Sequence, residues 1–187
     1  MVILSRSGLA RHDVSRMAHR LLIVGWLLLA VIGSTVLAGE FNPVLKIGDP
    51  APTWKDLPNI DGKRVSFDDF KDMDVLVVVF TCNSCPYAED YEDRILEFSK
   101  QHVTKASKVG LVAINVNKVE EDLPPAMKTK AQKRGFEFPY LFDESQKIAR
   151  DYGATATPEF FVLDRTRHVT YMGAMDDNSD AARAKRN

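Results

Sequence analysis

Beyond Gly39, the apolar positions fall in short blocks whose spacing alternates between that of a strand and that of a helix. Val75 to Phe80 is an unbroken β-branched and apolar run, which predicts a central strand covered on both faces. From Pro86 the apolar positions become Tyr87, Tyr91, Ile95, Leu96 and Phe98, with acids and Arg94 between them, and this spacing predicts a helix to about His102. Val109 to Val116 reads as a second strand, and Asp122-Leu123-Pro124-Pro125 interrupts the pattern before a basic helix over Ala126 to Arg134. Phe138 to Phe142 predicts a third strand, and Ser145 to Tyr152 a short helix that Gly153 closes as a left-handed cap. Glu159 to Leu163 is a fourth strand, turning through Asp164 to Arg167 into His168 to Met172. Upstream, Asp61-Gly62 between two short apolar stretches signals a hairpin whose returning strand is Arg64 to Phe67, followed by an acid-capped turn at Asp68 to Lys71. Strands alternating with helices and ending in a hairpin predict an α/β fold, with helices on both faces of the sheet.

The N-terminus stands apart from this pattern. Arg6, Arg11, Arg16 and Arg20 precede the apolar run Leu21 to Leu37, and Val36-Leu37-Ala38 offers a small-residue cleavage site before Gly39. Residues 1–38 are therefore expected to be a signal peptide cleaved after Ala38, or an uncleaved N-terminal anchor through residues 21–37. Either places the following chain outside the cytoplasm, because the basic flank stays inside. Residues 39–47, with Asn42-Pro43, read as a linker, and 48–187 as a single domain opening at Gly48-Asp49-Pro50-Ala51-Pro52.

Composition narrows the function classes. With 45% hydrophobic and 27% charged residues, the 187-residue chain is ordinary globular material rather than disordered or multi-span membrane protein. A formal net charge of -1 and no basic cluster in the domain exclude nucleic acid as the expected partner. Lys128, Lys130, Lys133 and Arg134 read as an exposed helix face, and Asp176-Asp177 as a solvated turn.

The two cysteines carry the chemistry. Cys82 and Cys85 are separated by two residues, so a bridge between them closes almost no loop and is a poor structural staple. They cannot complete a four-ligand zinc site, since His102 and His168 lie far away in sequence. A reversible dithiol remains, and no cofactor or metal is expected. The pair sits where a buried strand meets a helix, whose N-terminal N–H groups favour thiolate over thiol. Pro86 suits the first turn. In this reading Asn83-Ser84 form an exposed polar loop, Cys82 faces solvent and attacks a partner disulfide, and Cys85 resolves the mixed disulfide.

Four segments in order, Gly48-Asp49-Pro50-Ala51-Pro52 with Trp54 and Leu57, Asp61 to Lys71, Phe80-Thr81-Cys82-Asn83-Ser84-Cys85-Pro86, and Ala156-Thr157-Pro158-Glu159-Phe160-Phe161, resemble the thioredoxin-like superfamily. The resemblance runs from Gly48 to Met172 and is strongest to the redoxin branch of alkyl hydroperoxide reductase and thiol-specific antioxidant proteins. It implies a thioredoxin-like fold, a central mixed sheet flanked by helices with an N-terminal hairpin extension. It also implies a cis Thr157-Pro158 bond beside Cys82, with Thr157 and Pro158 docking an incoming peptide. Thr81 stands where thioredoxins commonly carry Trp, and the strand before the cysteines has no acid, so Glu159 is the nearest candidate proton relay. The polar segment Asp176 to Asn187 replaces the helix with which such folds usually close.

Three functions compete at this point. The first is thiol-disulfide exchange with protein thiols and disulfides, recycled by a redox partner. The second is a thiol peroxidase, in which Cys85-Pro86 falls on the peroxidatic position and Cys82 resolves. The third is a copper-handling protein using two thiolates, whose thioredoxin-like examples carry three residues between the cysteines and a His where Thr155, Ala156 and Thr157 stand here. A membrane is a partner only if the leader stays uncleaved.

Overall fold

The computed structural model describes residues 42–104 and 106–184; the predicted leader lies outside them. The first elements are the hairpin strands β1 (Leu57–Pro58) and β2 (Arg64–Val65), paired antiparallel with Leu57 opposite Val65. Gly62 (φ +86°) supplies the positive φ that their turn requires. The returning strand is shorter than its apolar pattern predicts because a single 3-10 turn, Phe67–Phe70, takes over, its start fixed by the Asp69 carboxylate accepting from the Ser66 N–H at 2.8 Å.

Strand β3 (Val75–Thr81) runs into helix α1 (Pro86–His102); β4 (Val109–Asn115) leads through a short 3-10 turn, Glu120–Asp122, to α2 (Pro124–Arg134). The two prolines that interrupt the sequence pattern open α2 rather than precede it, since the first turn of a helix has no N–H bonds to lose. Then follow β5 (Tyr140–Phe142), α3 (Lys147–Tyr152), β6 (Glu159–Leu163) and β7 (Val169–Gly173).

The main sheet has the order β5-β4-β3-β6-β7. β3, β4 and β5 are parallel neighbours, and β6 and β7 are antiparallel additions. Residues alternate between two cores. Leu76, Val78 and Phe80 join Val112, Ile114, Phe161 and Leu163 against Trp54, Phe67, Ile148 and Tyr152. Val77 and Val79 join Leu111, Ala113 and Phe160 against Tyr91 and Ile95 of α1 and Met127 and Ala131 of α2. β3 is thus buried on both faces, as its unbroken apolar run predicts.

Three expectations are corrected by packing. Residues 42–47 are not a free linker: Leu45 is 7% exposed within the first core, and the Asn42 Nδ2 donates to the Tyr152 carbonyl at 2.8 Å. Asp176 is no solvated turn, because Arg94 pairs with its carboxylate and also donates to the Asn178 carbonyl at 3.0 Å, drawing the polar tail onto α1. Of the expected basic face, Lys128 and Lys133 are exposed, but Lys130 and Arg134 turn to bridge Glu92 of α1 at 2.6 and 2.8 Å. Among the described residues no helix follows β7, and none is long and apolar enough to cross a membrane.

Candidate redox site

The sheet register builds the site. β6 runs antiparallel to β3 with Glu159 opposite Phe80, so extending that register sets Thr157 beside Cys82. On the other edge of β3, the parallel partner of Thr81 is Asn115, the last residue of β4. Residues that are distant in sequence therefore meet where β3 ends. Cys85 is the N-cap of α1 in an extended conformation, with Pro86 in the first turn, so the helix N-terminus opens directly onto its sulfur.

Both sulfurs contact one residue. Cys82 Sγ lies 3.3 Å from the Thr157 hydroxyl, and the Cys85 thiol donates to the Thr157 main-chain carbonyl at 3.4 Å. The Thr157-Pro158 bond is cis.

Their environments differ in the direction opposite to the sequence reading. Cys82 is 2% exposed, whereas Cys85 is partly exposed. Burial pushes the Cys82 thiol up, and the nearby Asp122 charge adds to this against a hydrogen bond from Thr157. Burial also opposes charge on Cys85, but it is outweighed by hydrogen bonds from Thr157, the Ala88 and Tyr87 N–H groups and Cys82, which hold this thiol below its ordinary range. The solvent-facing thiol with thiolate character is the second cysteine.

Cys82 is covered because Asn83 turns inward, while Ser84 stays exposed. Asn83 is 8% exposed; its Oδ1 accepts from the Tyr140 hydroxyl at 2.9 Å and its Nδ2 donates to the Glu121 carbonyl at 2.7 Å. Its N–H, and both the N–H and hydroxyl of Ser84, donate to the Asp122 carboxylate. Burial, followed by the charges of Asp122 and Cys82, raises the Tyr140 hydroxyl far above the usual range, so it acts at Asn83 as a neutral donor. Asp122, Asn115 and Tyr140 are the site residues that sequence reasoning missed. Asp122 sits in the Asp-Leu-Pro-Pro break, which signals only a pause between elements.

Glu159, the relay candidate, has other partners. Its carboxylate accepts from the Thr155 N–H at 2.7 Å and the Ala156 N–H at 3.2 Å, bracing the loop that carries Thr157 and Pro158. Among the described residues its hydrogen bonds go to this backbone and not to either sulfur.

The family model of the AhpC/TSA family matches residues 47–172, which spans both the thiol motif and the Thr157-Pro158 loop. The chain belongs to the AhpC/TSA family. A thiol-disulfide oxidoreductase ResA of Bacillus cereus is 23% identical over 159 residues, covering 83% of this chain and 86% of that protein. A candidate peroxiredoxin of Mycobacterium tuberculosis is 26% identical over 118 residues, 61% of this chain and 68% of its own length. Among solved structures, an uncharacterised conserved protein of Geobacillus kaustophilus is 36% identical with a TM-score of 0.68, covering 73% of this chain and 72% of that one. A thiol:disulfide interchange protein DsbE candidate of Chlorobium tepidum is 25% identical with a TM-score of 0.59, covering 70% and 86%. The fold of this AhpC/TSA protein is thioredoxin-like, a mixed five-stranded sheet with helices on its faces, as the resemblance implies.

Proposed function

We propose that this AhpC/TSA protein is an extracytoplasmic thiol-disulfide oxidoreductase working through Cys82 and Cys85, with Thr157 and Pro158 as its peptide-docking edge. The observation that carries this reading is the meeting of both sulfurs at Thr157, which puts the dithiol beside the cis Thr157-Pro158 loop preceding β6. The ResA-type relatives support the same chemistry. The exported location rests on the arginine-flanked apolar run at the N-terminus.

In the reducing direction the Cys85 thiolate attacks a substrate disulfide, forming a mixed disulfide and expelling one substrate thiolate. Cys82 then gives its proton to that thiolate and attacks the Cys85 sulfur, expelling the second. The substrate gains two electrons, and Cys82 and Cys85 become a disulfide that a second dithiol protein reduces. This order reverses the one read from sequence and follows the burial of Cys82.

The exposed N-cap position of Cys85 also favours a second reading, thiol peroxidase. There the Cys85 thiolate displaces hydroxide from hydrogen peroxide to give a sulfenic acid, and the Cys82 thiol condenses with it to a disulfide, releasing water. The deciding experiment compares how fast the reduced chain reduces insulin disulfides and how fast hydrogen peroxide oxidises it. Insulin turnover with peroxide oxidation no faster than that of free cysteine is the expected result. Fast peroxide oxidation with negligible insulin turnover overturns it in favour of the peroxidase.

A further inference from the structure

A carboxylate withdrawn from water keeps its charge only where enough donors face it, and the identity of those donors determines how far the charge is felt. Asp122 has no exposed surface. Its side chain accepts from the Asn83 N–H, the Ser84 N–H at 3.3 Å, the Ser84 hydroxyl at 2.5 Å, and the amides of Asn115 and Asn117, each at 3.2 Å. Every one of these donors is neutral. The charge is satisfied but not cancelled, and three of its hydrogen bonds come from the two residues that separate the cysteines. Asn115, which also donates to the Asp122 carbonyl at 3.1 Å, fixes the carboxylate to the end of β4 and so to the sheet.

The other groups around Cys82 that titrate or carry charge are differently disposed. Glu92 of α1 lines a small cavity with Cys82 and Tyr140, but it is paired with Lys130 and Arg134 of α2. Lys130 is shared between Glu92, Glu89 and the main-chain carbonyl of Asn83, and does not pair with Asp122. Tyr140 of β5 is held at Asn83, and Glu159 of β6 is occupied by the Thr155 and Ala156 backbone. Cys85 is the remaining one. Among the described residues, Asp122 is thus the buried carboxylate beside the dithiol that no cation contacts directly.

We propose that Asp122 is the positioning residue of the dithiol: it clamps the Asn83-Ser84 linker from the buried side and, by its uncompensated charge, reserves ionisation for Cys85 while Cys82 stays a thiol. As a thiol, Cys82 donates toward the Cys85 sulfur and keeps the proton that it passes on when it resolves the mixed disulfide. The role rests on the thiol-disulfide reading above. The raised Cys82 thiol, to which burial contributes first and the Asp122 charge after it, agrees with this geometry.

The test is the pH dependence of iodoacetamide alkylation in the reduced full chain, with each cysteine resolved by fragmentation mass spectrometry. Asp122→Asn keeps an oxygen acceptor for the linker and removes the charge. It is expected to move the Cys82 alkylation midpoint down by about one pH unit, about tenfold faster labelling at intermediate pH, with a smaller change at Cys85. An unmoved Cys82 profile, or an equal shift at both cysteines, overturns the proposal. If far-UV circular dichroism shows that Asp122→Asn does not fold, Ser84→Ala carries the test, because Ser84 is exposed and contributes only one hydroxyl bond to the carboxylate. A less neutralised Asp122 then raises the Cys82 midpoint; an unchanged or lowered one overturns the proposal. The labelling profile needs no exchange activity, so a chain that fails to reduce insulin defeats the oxidoreductase reading while still reporting on Asp122.

Discussion

The Lys130 ammonium donates to the main-chain carbonyl of Asn83 at 3.0 Å, so α2 also holds the linker between the cysteines. The same nitrogen lies 2.6 Å from Glu92 and 3.0 Å from Glu89 on α1. One cation therefore ties both helices to the redox loop, and it does so with a side chain only 17% exposed.

Replacing it should be costly. Lys130→Met leaves the Glu92 carboxylate, 11% exposed, with Arg134 alone, and leaves the Asn83 carbonyl without this donor. A loss of about 2 kcal/mol is expected, between the values for a surface pair and a fully buried one. Burial disfavours the Lys130 charge, but Glu92 and Glu89 outweigh it and raise the amine above 10.5. The contribution is therefore complete below pH 10.5 and disappears as pH rises through the raised value. Urea denaturation at pH 7 measures it, and a midpoint equal to that of the parent chain would refute the bridging role.

The difference in burial between the two thiols sets the outcome of trapping. Cys82→Ser removes the resolving thiol and should accumulate a mixed disulfide through Cys85 when the reduced chain meets a disulfide substrate. Cys85→Ser leaves a 2% exposed thiol and should trap none. Non-reducing electrophoresis with peptide mapping reads both. Trapping by Cys85→Ser in preference to Cys82→Ser would restore the order expected from sequence.

Gly153 caps α3 with φ +67°, and a Cβ there would stand 2.3 Å from Asn42 Oδ1 and 2.9 Å from Val44 Cβ. That oxygen accepts from the Val44 and Leu45 N–H groups at 2.9 and 2.8 Å, so the methyl group would displace the turn that seats Leu45. Gly153→Ala should cost about 2 kcal/mol, the left-handed strain plus part of the lost docking. Thermal unfolding measures it; a change below about 0.5 kcal/mol would mean that the segment 42–47 contributes little to the fold.

What was legible in the sequence follows from how local each signal is. The strand Glu159–Leu163 and the helix Pro86–His102 coincide with their apolar patterns because burial and period agree within a few residues. The dithiol was legible for the same reason, a contiguous motif between a buried run and a helical one. The Thr157-Pro158 loop was legible only through the family resemblance, because nothing local shows which strand β6 joins. Asp122 was not legible: it meets Asn83 across a sequence separation of 39 residues, and only the parallel pairing of β3 with β4 brings the two together. The burial of Cys82 was missed with it, since Asn83 looks solvated until that acceptor is in place. The segment 42–47 failed similarly, for Asn42-Pro43 reads as a break and its docking on Tyr152 is wholly tertiary.

The Arg94–Asp176 pair gives a prediction in which pH decides the state of the tail. Burial raises the Asp176 carboxyl, but hydrogen bonds from Arg94, Tyr91 and the Asn178 N–H outweigh it and hold the group below 3.8. A lowered acid stabilises above its unfolded value and ceases to do so as pH falls through the folded one, so the tail anchor is complete above about pH 4 and released in stronger acid. The guanidinium also donates to the Asn178 and Ser179 carbonyls, so loss of the carboxylate loosens the turn on α1 while those two bonds remain. Asp176→Asn mimics that release at neutral pH, with an expected cost of about 1 kcal/mol, since the pair is only partly buried. Trypsin should then cut after Arg183 sooner than in the parent chain. Tyr91 provides an independent check: burial first and Asp176 second push its hydroxyl up to about 12, so in Asp176→Asn Tyr91 should ionise at lower pH in an ultraviolet titration, and Tyr171, raised by burial and then by the Asp176 charge, should follow in the same direction. Unchanged cleavage together with an unchanged titration would show that the tail is held by something other than this carboxylate.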